Sequence, residues 1–445
     1  MFESLLIANR GEIARRIIRS ARMLGIRTVA VHSSADAELP FVAESDDALE
    51  LTGPPAAAYR DVSQLLALAR KADATAVHPG YGFLSEDPGF AQAVSDAGLV
   101  WVGPDADAIS AMGDKVAARQ RVAAAGVPVA AGSADAVTTE EAAVAEAERV
   151  GFPVMLKAAA GGGGMGMAVA VDAPALRTEY ARVSACAQRL FGDQRLFVER
   201  YFPRVRHVEV QVLGLADGRV IALGERDCSV QRRHQKIVEE SPSPAVGADL
   251  RRRMERAAML AAATVGYRNA GTVEFLLDQG TGEFFFLEMN TRLQVEHPVT
   301  EMRYGLDLVA AQLRIADGDE PGFDVDALAP SGHAIELRVN AEDPKRFLPG
   351  PGPVTTWVEP TGEGVRVDAG YAAGTTVTPH YDSLLAKLVI RGRDREEALQ
   401  RARSAVAGFT VTGPKCNLPF HAELLEHPEF VSGHYDTALV ARMRP

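Results

Sequence analysis

Two strongly apolar runs, residues 272–277 and 283–289, are joined by the polar, glycine-rich segment 278–282. This pattern predicts a β-hairpin. If the hairpin is centred on the middle residue of the connection, Glu274 lies opposite Glu288, because each is seven residues from that centre. Both runs are apolar enough to be buried on both faces, so we expect the two carboxylates to need a cation between them. A hard divalent metal with oxygen ligands fits that requirement.

Polar side chains continue past Glu288 at every second position, namely Asn290, Arg292, Gln294 and Glu296. Side chains spaced in this way share one face of an extended chain. We therefore predict an extended polar edge that ends at Pro298, which has no backbone N–H to donate. The alternative is an ordinary solvated strand edge, which the apolar strands before it argue against.

Composition excludes several classes of protein. The formal net charge of −12 argues against a nucleic-acid partner held by backbone electrostatics, and 445 residues predict two or three domains. The three cysteines fit no zinc or disulfide spacing. No apolar run approaches the ~20 residues of a membrane span. We therefore expect a cytoplasmic protein that does not bind membranes.

The first hundred residues alternate between strand-like and helical patterns, with strands at 5–8, 28–32, 74–78 and 99–102 and helices at 12–24 and 61–71. This alternation predicts a doubly wound parallel sheet. The turn after the first strand lacks the Gly-x-Gly-x-x-Gly fingerprint of dinucleotide-binding domains. The loop 78–86 follows a strand at the edge where such sheets bind ligands, so Tyr81 either contacts a ligand or simply packs in a turn.

A glycine-rich loop at residues 161–166 separates the strand-like runs 154–157 and 167–171. The backbone N–H groups of such a loop can bind phosphates, and Lys157, at the end of the first run, can add a positive charge. The strand that follows the loop excludes a Rossmann fingerprint, and P-loop and kinase motifs are missing from the sequence. A loop with no ligand remains the alternative.

One later segment concentrates positive charge, and another places a single cation in an apolar strand. Residues 226–236 contain five cations when His234 is counted, which favours an anion-binding segment over a solvated basic loop. From residue 333 onward, short strands rich in glycine and proline surround one helix at 395–406, which predicts an α+β or β-rich region. Arg338 lies in one of these apolar strands, and on its own the pattern favours a structural ion pair.

Seven segments together are similar to biotin carboxylase, the ATP-grasp component of acetyl-CoA, propionyl-CoA and pyruvate carboxylases. They are IANRGEIA (7–14), HPGYGFLSE (78–86), MGDK (112–115), KAAAGGGGMGM (157–167), RDCSVQRRHQKIVEE (226–240), EMNTRLQVEHPVTEM (288–302) and YDSLLAKL (381–388). The resemblance implies a fold of mixed α/β and α+β class in three parts. These are an N-terminal doubly wound parallel α/β domain at 1–113, an ATP-grasp domain at 114–320 with a mobile lid at about 131–203, and a β-rich C-terminal domain at 331–445.

The resemblance also implies the chemistry. MgATP, or MnATP, phosphorylates bicarbonate to carboxyphosphate, which carboxylates N1′ of biotin on a carrier. The sequence has no Met-Lys-Met biotinylation site, so the partners are a biotin carboxyl carrier protein or domain and a carboxyltransferase subunit. The assembly is expected to be an acyl-CoA carboxylase. A homodimer is also implied, although Met23 and Glu363 depart from its usual face.

The same resemblance assigns the site residues. The ATP contacts are Lys115, Lys157, Gly163, Gly164, Glu199, Arg200, Phe202, His207, Gln231 and His234. The metal ligands are Glu274, Glu288 and Asn290. Bicarbonate is held by Arg292, Gln294 and Val295, with Glu296 as its general base. Lys236 stabilises the transferring phosphate, Arg338 stabilises the ureido oxyanion of biotin, and Tyr81 contacts biotin.

Two other functions stay open at this point. One is an ATP-grasp ligase that carboxylates a different nitrogen acceptor, such as a urea- or guanidine-like metabolite. The other is an inactive binding subunit, because Met165 stands in the glycine loop where the family usually carries Arg or Lys, and we expect ATP affinity or lid closure to differ. The full set of predicted catalytic residues argues against the second.

Overall fold

The N-terminal part of the chain is a five-stranded, entirely parallel sheet in this computed structural model, which describes residues 1–159 and 166–444. Its strands are β1 Ser4–Ile7, β2 Arg27–Ser33, β3 Asp47–Leu51, β4 Ala76–His78 and β5 Val100–Trp101, in the order β3-β2-β1-β4-β5. Its helices are α1 Gly11–Met23, α2 Pro40–Glu44, α3 Pro55–Ala58, α4 Val62–Lys71, α5 Pro88–Asp96 and α6 Ala106–Gly113. The predicted parallel α/β domain is confirmed.

A small antiparallel sheet follows in the region predicted to be the lid. Its strands are β6 Val154–Ala158, β7 Met167–Ala170 and β8 Leu196–Arg200, in the order β7-β6-β8. The helices of this region are α8 Glu140–Val150 and α9 Ala173–Phe191, and α7 Lys115–Ala124 precedes it. Thr139 caps α8 by accepting a hydrogen bond from the Ala142 N–H. The predicted ATP contacts Gly163 and Gly164, and Met165 beside them, lie outside the described residues.

A large sheet carries the rest of the ATP-grasp region. Its strands there are β9 Val205–Gly214, β10 Val220–Arg232, β11 Gln235–Ser241, β12 Asn269–Asp278 and β13 Phe284–Asn290. The helices are α10 Ala248–Ala263, α11 His297–Tyr304 and α12 Leu308–Ala316. The chain turns at Gly305 (φ 67°) between α11 and α12, and Asp307 caps α12 through the Ala310 N–H. Among the described residues, no helix combines the length and the apolar character that crossing a membrane requires.

The C-terminal region continues the same sheet. Its strands are β14 His333–Asn340, β15 Gly352–Pro353, β16 Thr356–Val358, β17 Val365–Ala369, β18 Thr376–Val377, β19 Leu384–Gly392 and β20 Thr410–Thr412. Its helices are α13 Arg395–Gly408, α14 Leu418–Leu424, α15 Pro428–Ser432 and α16 Leu439–Met443. Strand β11 pairs with β14, which gives an eight-stranded sheet in the order β13-β12-β9-β10-β11-β14-β19-β17. Residues more than ninety positions apart, such as Lys236 and Arg338, therefore lie on one continuous sheet.

Candidate active site

The predicted pair of opposed carboxylates is confirmed. Glu274 on β12 pairs in register with Glu288 on β13. The centre of the turn lies half a residue before the predicted centre, because Leu277 pairs with Phe284. A bulge at Leu287 then brings Glu288 back into register with Glu274. The sequence cannot reveal this bulge, because an extra apolar residue leaves the apolar character of the strand unchanged.

The structure corrects the reason given for a cation between those carboxylates. Glu274 already lies 2.8 Å from Lys236 Nζ and 2.7 Å from His207 Nε2, and Glu288 lies 2.9 Å from Lys115 Nζ. Protein side chains therefore balance both charges. The oxygen donors still fit a hard divalent ion: two carboxylates lie on neighbouring strands, and the amide of Asn290 bonds one of them, with its Nδ2 donating to Glu274 Oε1 at 2.8 Å. The metal assignment remains a prediction.

Lys236 is the centre of the buried charges. Its Nζ donates to Glu209 Oε2 at 2.5 Å, to Glu274 Oε1 at 2.8 Å and to Glu296 Oε1 at 2.6 Å. Burial acts to lower the pKa of Lys236, but the three carboxylates raise it well above its usual range. Lys236 is therefore a fixed cation within reach of both predicted halves of the site.

Glu296 is completely buried, yet it is held in its ionised form. Burial acts to raise the pKa of Glu296, but the nearby charges of Lys236 and Arg338 bring it well below its usual range. The second bond comes from Arg338 Nη2, which donates to Glu296 Oε2 at 2.8 Å. An ionised carboxylate is what a general base requires.

The segment after β13 differs from the predicted extended edge. The strand ends at Asn290, the chain bends at Arg292, and α11 begins at His297 with Pro298 in its first turn. Proline is well tolerated there because the first N–H groups of a helix have no partner within it. The extended-strand prediction is wrong, but the side chains still converge. Arg292 donates to Gln294 Oε1 at 2.9 Å and to Asn290 Oδ1 at 3.1 Å.

The predicted nucleotide contacts fall into two described groups. His207 lies 3.5 Å from Gln231 Nε2 and is bonded to Glu274, so these residues lie on the side of the site where a metal is predicted. Lys157 pairs with Glu199, which also accepts from Arg119 Nη1 at 2.6 Å. Three further predicted contacts do not take part in these bonds: Phe202 stacks on Phe285 with ring centroids 4.9 Å apart, Arg200 donates to Gly151 O at 2.8 Å, and His234 lies in the β10–β11 turn.

The loop that carries Tyr81 contacts the predicted bicarbonate segment. Tyr81 donates its hydroxyl to Glu12, which lies 3.0 Å from Lys387 Nζ. Lys387 in turn donates to the carbonyl oxygen of Val295 at 3.0 Å. A second connection runs from Glu86 in the same loop to Arg292 Nε at 2.9 Å. The N-terminal domain therefore helps to orient residues 292–295.

Several residues in these networks were not predicted as site residues. Glu209, Glu239, Glu86 and Arg119 all bond to predicted ones. The alternation of His207 and Glu209 on β9 was the available signal for Glu209. Arg226 was predicted within an anion-binding segment, but it is wholly buried and donates to Glu209 at 2.6 Å and Gln211 at 2.7 Å. It is a structural cation, which corrects that prediction.

Known protein families match nearly the whole chain. The biotin carboxylase N-terminal domain matches residues 1–109, the ATP-binding domain of the carbamoyl-phosphate synthase L chain matches 114–321, and the biotin carboxylase C-terminal domain matches 336–442. Biotin carboxylase 1 of Bacillus subtilis (strain 168) is 46% identical over 440 residues, which cover 98% of each chain. The biotin carboxylase of Haemophilus influenzae is 47% identical over 435 residues, which cover 97% of each chain.

Among solved structures, the biotin carboxylase domain dimer of Hydrogenobacter thermophilus 2-oxoglutarate carboxylase is closely similar. It was determined with MgADP, ADP and bicarbonate. The TM-score is 0.96 at 40% sequence identity, and the match covers 99% of this chain and 98% of that one.

Proposed function

The chain belongs to the biotin carboxylase family, and from this premise we propose that its site uses ATP and bicarbonate to carboxylate biotin on a carrier protein. One observation supports this most strongly. An unbroken series of charged contacts runs from Glu274 through Lys236 and Glu296 to Arg338, with distances of 2.8, 2.6 and 2.8 Å. It joins the carboxylate proposed to bind metal to the cation proposed to meet biotin.

The first step of the proposed reaction is the phosphorylation of bicarbonate. Arg292 and Gln294 hold the anion, and Glu296 takes its proton. The freed bicarbonate oxygen forms a bond to the γ-phosphorus of ATP while the bond to ADP breaks, which gives carboxyphosphate. Because the pKa of Glu296 is held well below its usual range, Glu296 is ionised and free to accept a proton at neutral pH, and the same shift makes it a weaker base.

Charge on the phosphates has to be balanced during this transfer. Glu274, Glu288 and Asn290 would hold Mg²⁺ or Mn²⁺, which supplies charge stabilisation at the phosphate oxygens. Lys115 and Lys157, each paired here with a carboxylate, and Lys236 supply fixed positive charge beside it.

The second step transfers the carboxyl group. Biotin's ureido nitrogen becomes nucleophilic as negative charge develops on its oxygen, and the Arg338 guanidinium stabilises that charge. The N1′–carbon bond forms, the carbon–oxygen bond of carboxyphosphate breaks, and phosphate leaves with the N1′ proton. We place Tyr81 on the biotin side, because its loop bonds Arg292 through Glu86 and because Tyr81 is connected to Val295 through Glu12 and Lys387.

The partners follow from the same proposal. A separate biotin carrier and a carboxyltransferase complete an acyl-CoA carboxylase, and the carboxyltransferase decides the final acceptor. We further propose a homodimer whose usual face is altered. Met23 there is 71% exposed, and Glu363 pairs with Arg401 at 3.3 Å. Sedimentation equilibrium measures that association.

Phosphate release tests the proposed function. With MgATP and bicarbonate, we expect free biotin to stimulate phosphate release, because biotin consumes carboxyphosphate. ATP turnover that ignores biotin but responds to urea or a guanidine would instead identify a ligase for another nitrogen acceptor. No turnover with any acceptor would identify a binding subunit.

A further inference from the structure

Two glutamates that the proposed reaction does not use face each other behind Arg338. Glu239 on β11 and Glu336 on β14 are directly opposed in register, and both are 0% exposed. Side chains at opposed positions of an antiparallel pair have Cβ atoms about 5 Å apart. Two like charges at that spacing, shielded from water, repel each other strongly.

Hydrogen bonding is very uneven within this pair. Arg338 Nε donates to Glu239 Oε1 at 2.7 Å. Within residues 1–159 and 166–444, no protein donor reaches Glu239 Oε2 or either carboxyl oxygen of Glu336. An ionised Glu336 would therefore be a buried charge without a bonded partner, which is the costliest state for a carboxylate.

Lys387 is the cation with the largest electrostatic effect on Glu336, but it is bonded to other groups. Lys387 lies opposite Arg338 on β19, so it is diagonal to Glu336. Its Nζ donates to Val295 O at 3.0 Å and lies 3.0 Å from Glu12. Its charge reaches Glu336 through space, but no hydrogen bond joins the two.

We propose that Glu239 and Glu336 hold one proton between them, carried by Glu336, and that the ionised Glu239 positions Arg338 for its substrate. The role of Arg338 rests on the proposed function, whereas the shared proton does not. Burial and the opposing Glu239 charge raise the pKa of Glu336 well above its usual range, against Lys387. Burial also raises the pKa of Glu239, to about 7, although Arg338 lowers it.

The charged groups around the pair are consistent with a single negative charge. Burial and the nearby charges of Lys387 and Arg16 lower the pKa of His297, on the helix packed against β14, so that His297 is neutral. The other charged groups that act on the pair come from β11, β14, β19 and the segment before α11: Lys236, Arg338, Lys387 and Glu296.

This arrangement has a consequence for Arg338. Its Nε is fixed by Glu239 and its Nη2 bonds Glu296, so the guanidinium plane is set from two sides. A second negative charge at Glu336 would offset more of the positive potential that the guanidinium presents to a developing oxyanion. A neutral Glu336 preserves that potential. Glu239 is thus a positioning residue.

Infrared spectroscopy tests the proton directly. The wild-type protein should show the carbonyl stretch of a buried protonated carboxylic acid at neutral pH, and Glu336→Gln should remove its contribution. Glu225→Gln is the matched control: Glu225 is equally buried, but it is bonded to Arg251 at 2.6 and 2.7 Å, so its replacement should leave the band intact. Equal bands in the wild type and Glu336→Gln would overturn the proposal.

Thermal unfolding gives a second, independent readout. Above the ordinary pKa of 4.5, Glu336 loses its proton on unfolding, so the wild type loses stability as the pH rises. Glu336→Gln lacks this titration. The Tm of Glu336→Gln minus the Tm of the wild type should therefore become more positive as the pH rises from about 5 to about 8. A Tm difference that stays constant or decreases would contradict the shared proton.

Kinetics test the positioning role. Glu239→Gln should lower kcat for biotin-dependent phosphate release about tenfold or more and leave KM for ATP within about twofold. Glu239→Asp, which keeps the charge, should recover part of the loss. An unchanged kcat, or an equal rise in KM for ATP, would overturn this role. A wild type without biotin-dependent turnover would refute the proposed function, while the infrared result would still decide the proton.

Discussion

Replacing Glu296 by Gln is expected to lower kcat for phosphate release by about 10²–10⁴-fold, because a general base contributes about that much. The substitution keeps the shape of the side chain but cannot accept the bicarbonate proton. It also removes the charge that bonds Lys236 and Arg338 at 2.6 and 2.8 Å. Steady-state kinetics with saturating MgATP and bicarbonate measure the effect.

Glu225→Gln is the control for this experiment as well. It removes another wholly buried carboxylate, but one that bonds Arg251 and Ser243 away from the proposed site. Its kcat should remain close to that of the wild type while its Tm falls. A Glu296→Gln enzyme that retains kcat within about threefold would show that another group takes the proton.

Replacing Lys236 by Met is expected to have the largest effect on stability. It leaves Glu209, Glu274 and Glu296 buried without their shared cation. Removing one partner of a buried ion pair costs about 3–5 kcal/mol, so the free energy of unfolding should fall by at least that amount at neutral pH. Activity should be lost as well, because the transferring phosphate loses a fixed positive charge.

The effect should depend on pH with a defined sign. The pKa values of Glu274 and Glu296 lie below their ordinary 4.5 in the folded wild type, so the stability they confer is present above pH 4.5 and is lost as the pH falls below it. The gap between the wild type and Lys236→Met, measured by urea denaturation, should therefore narrow in acid. Lys236→Arg keeps the charge and should recover much of the stability. A gap of the same size at every pH would contradict the assigned role of Lys236.

The hairpin and the segment after it show what local sequence patterns can and cannot predict. Apolar runs around a glycine-rich turn predicted that Glu274 faces Glu288, and the structure confirms it. The same reasoning failed past Asn290, because alternation of polar residues is compatible with a bent segment whose side chains converge through hydrogen bonds. Pro298 was interpreted as the end of a strand, although it also fits the first turn of a helix, which is its actual place.

Local sequence patterns do not predict which strands pair when they are far apart in the sequence. Arg338 reaches Glu239 only because β14 pairs with β11, and no local signal specifies that pairing across 99 residues. The ion pair that the local pattern predicted for Arg338 is present, with Glu239 and Glu296 as its partners. Its proposed role in catalysis came from the resemblance. Strand β3 was missed for a different reason: most of its residues are exposed, so it lacks an apolar pattern.

Isotope transfer tests the central claim, that this site phosphorylates bicarbonate itself. With ¹⁸O-labelled bicarbonate, MgATP and biotin, each released phosphate should carry one oxygen from bicarbonate, because that oxygen attacks the γ-phosphorus and stays with phosphorus when carboxyphosphate breaks. Mass spectrometry of the phosphate measures the label. Phosphate that takes its new oxygen from water instead would show that the site only hydrolyses ATP and would contradict the proposed reaction.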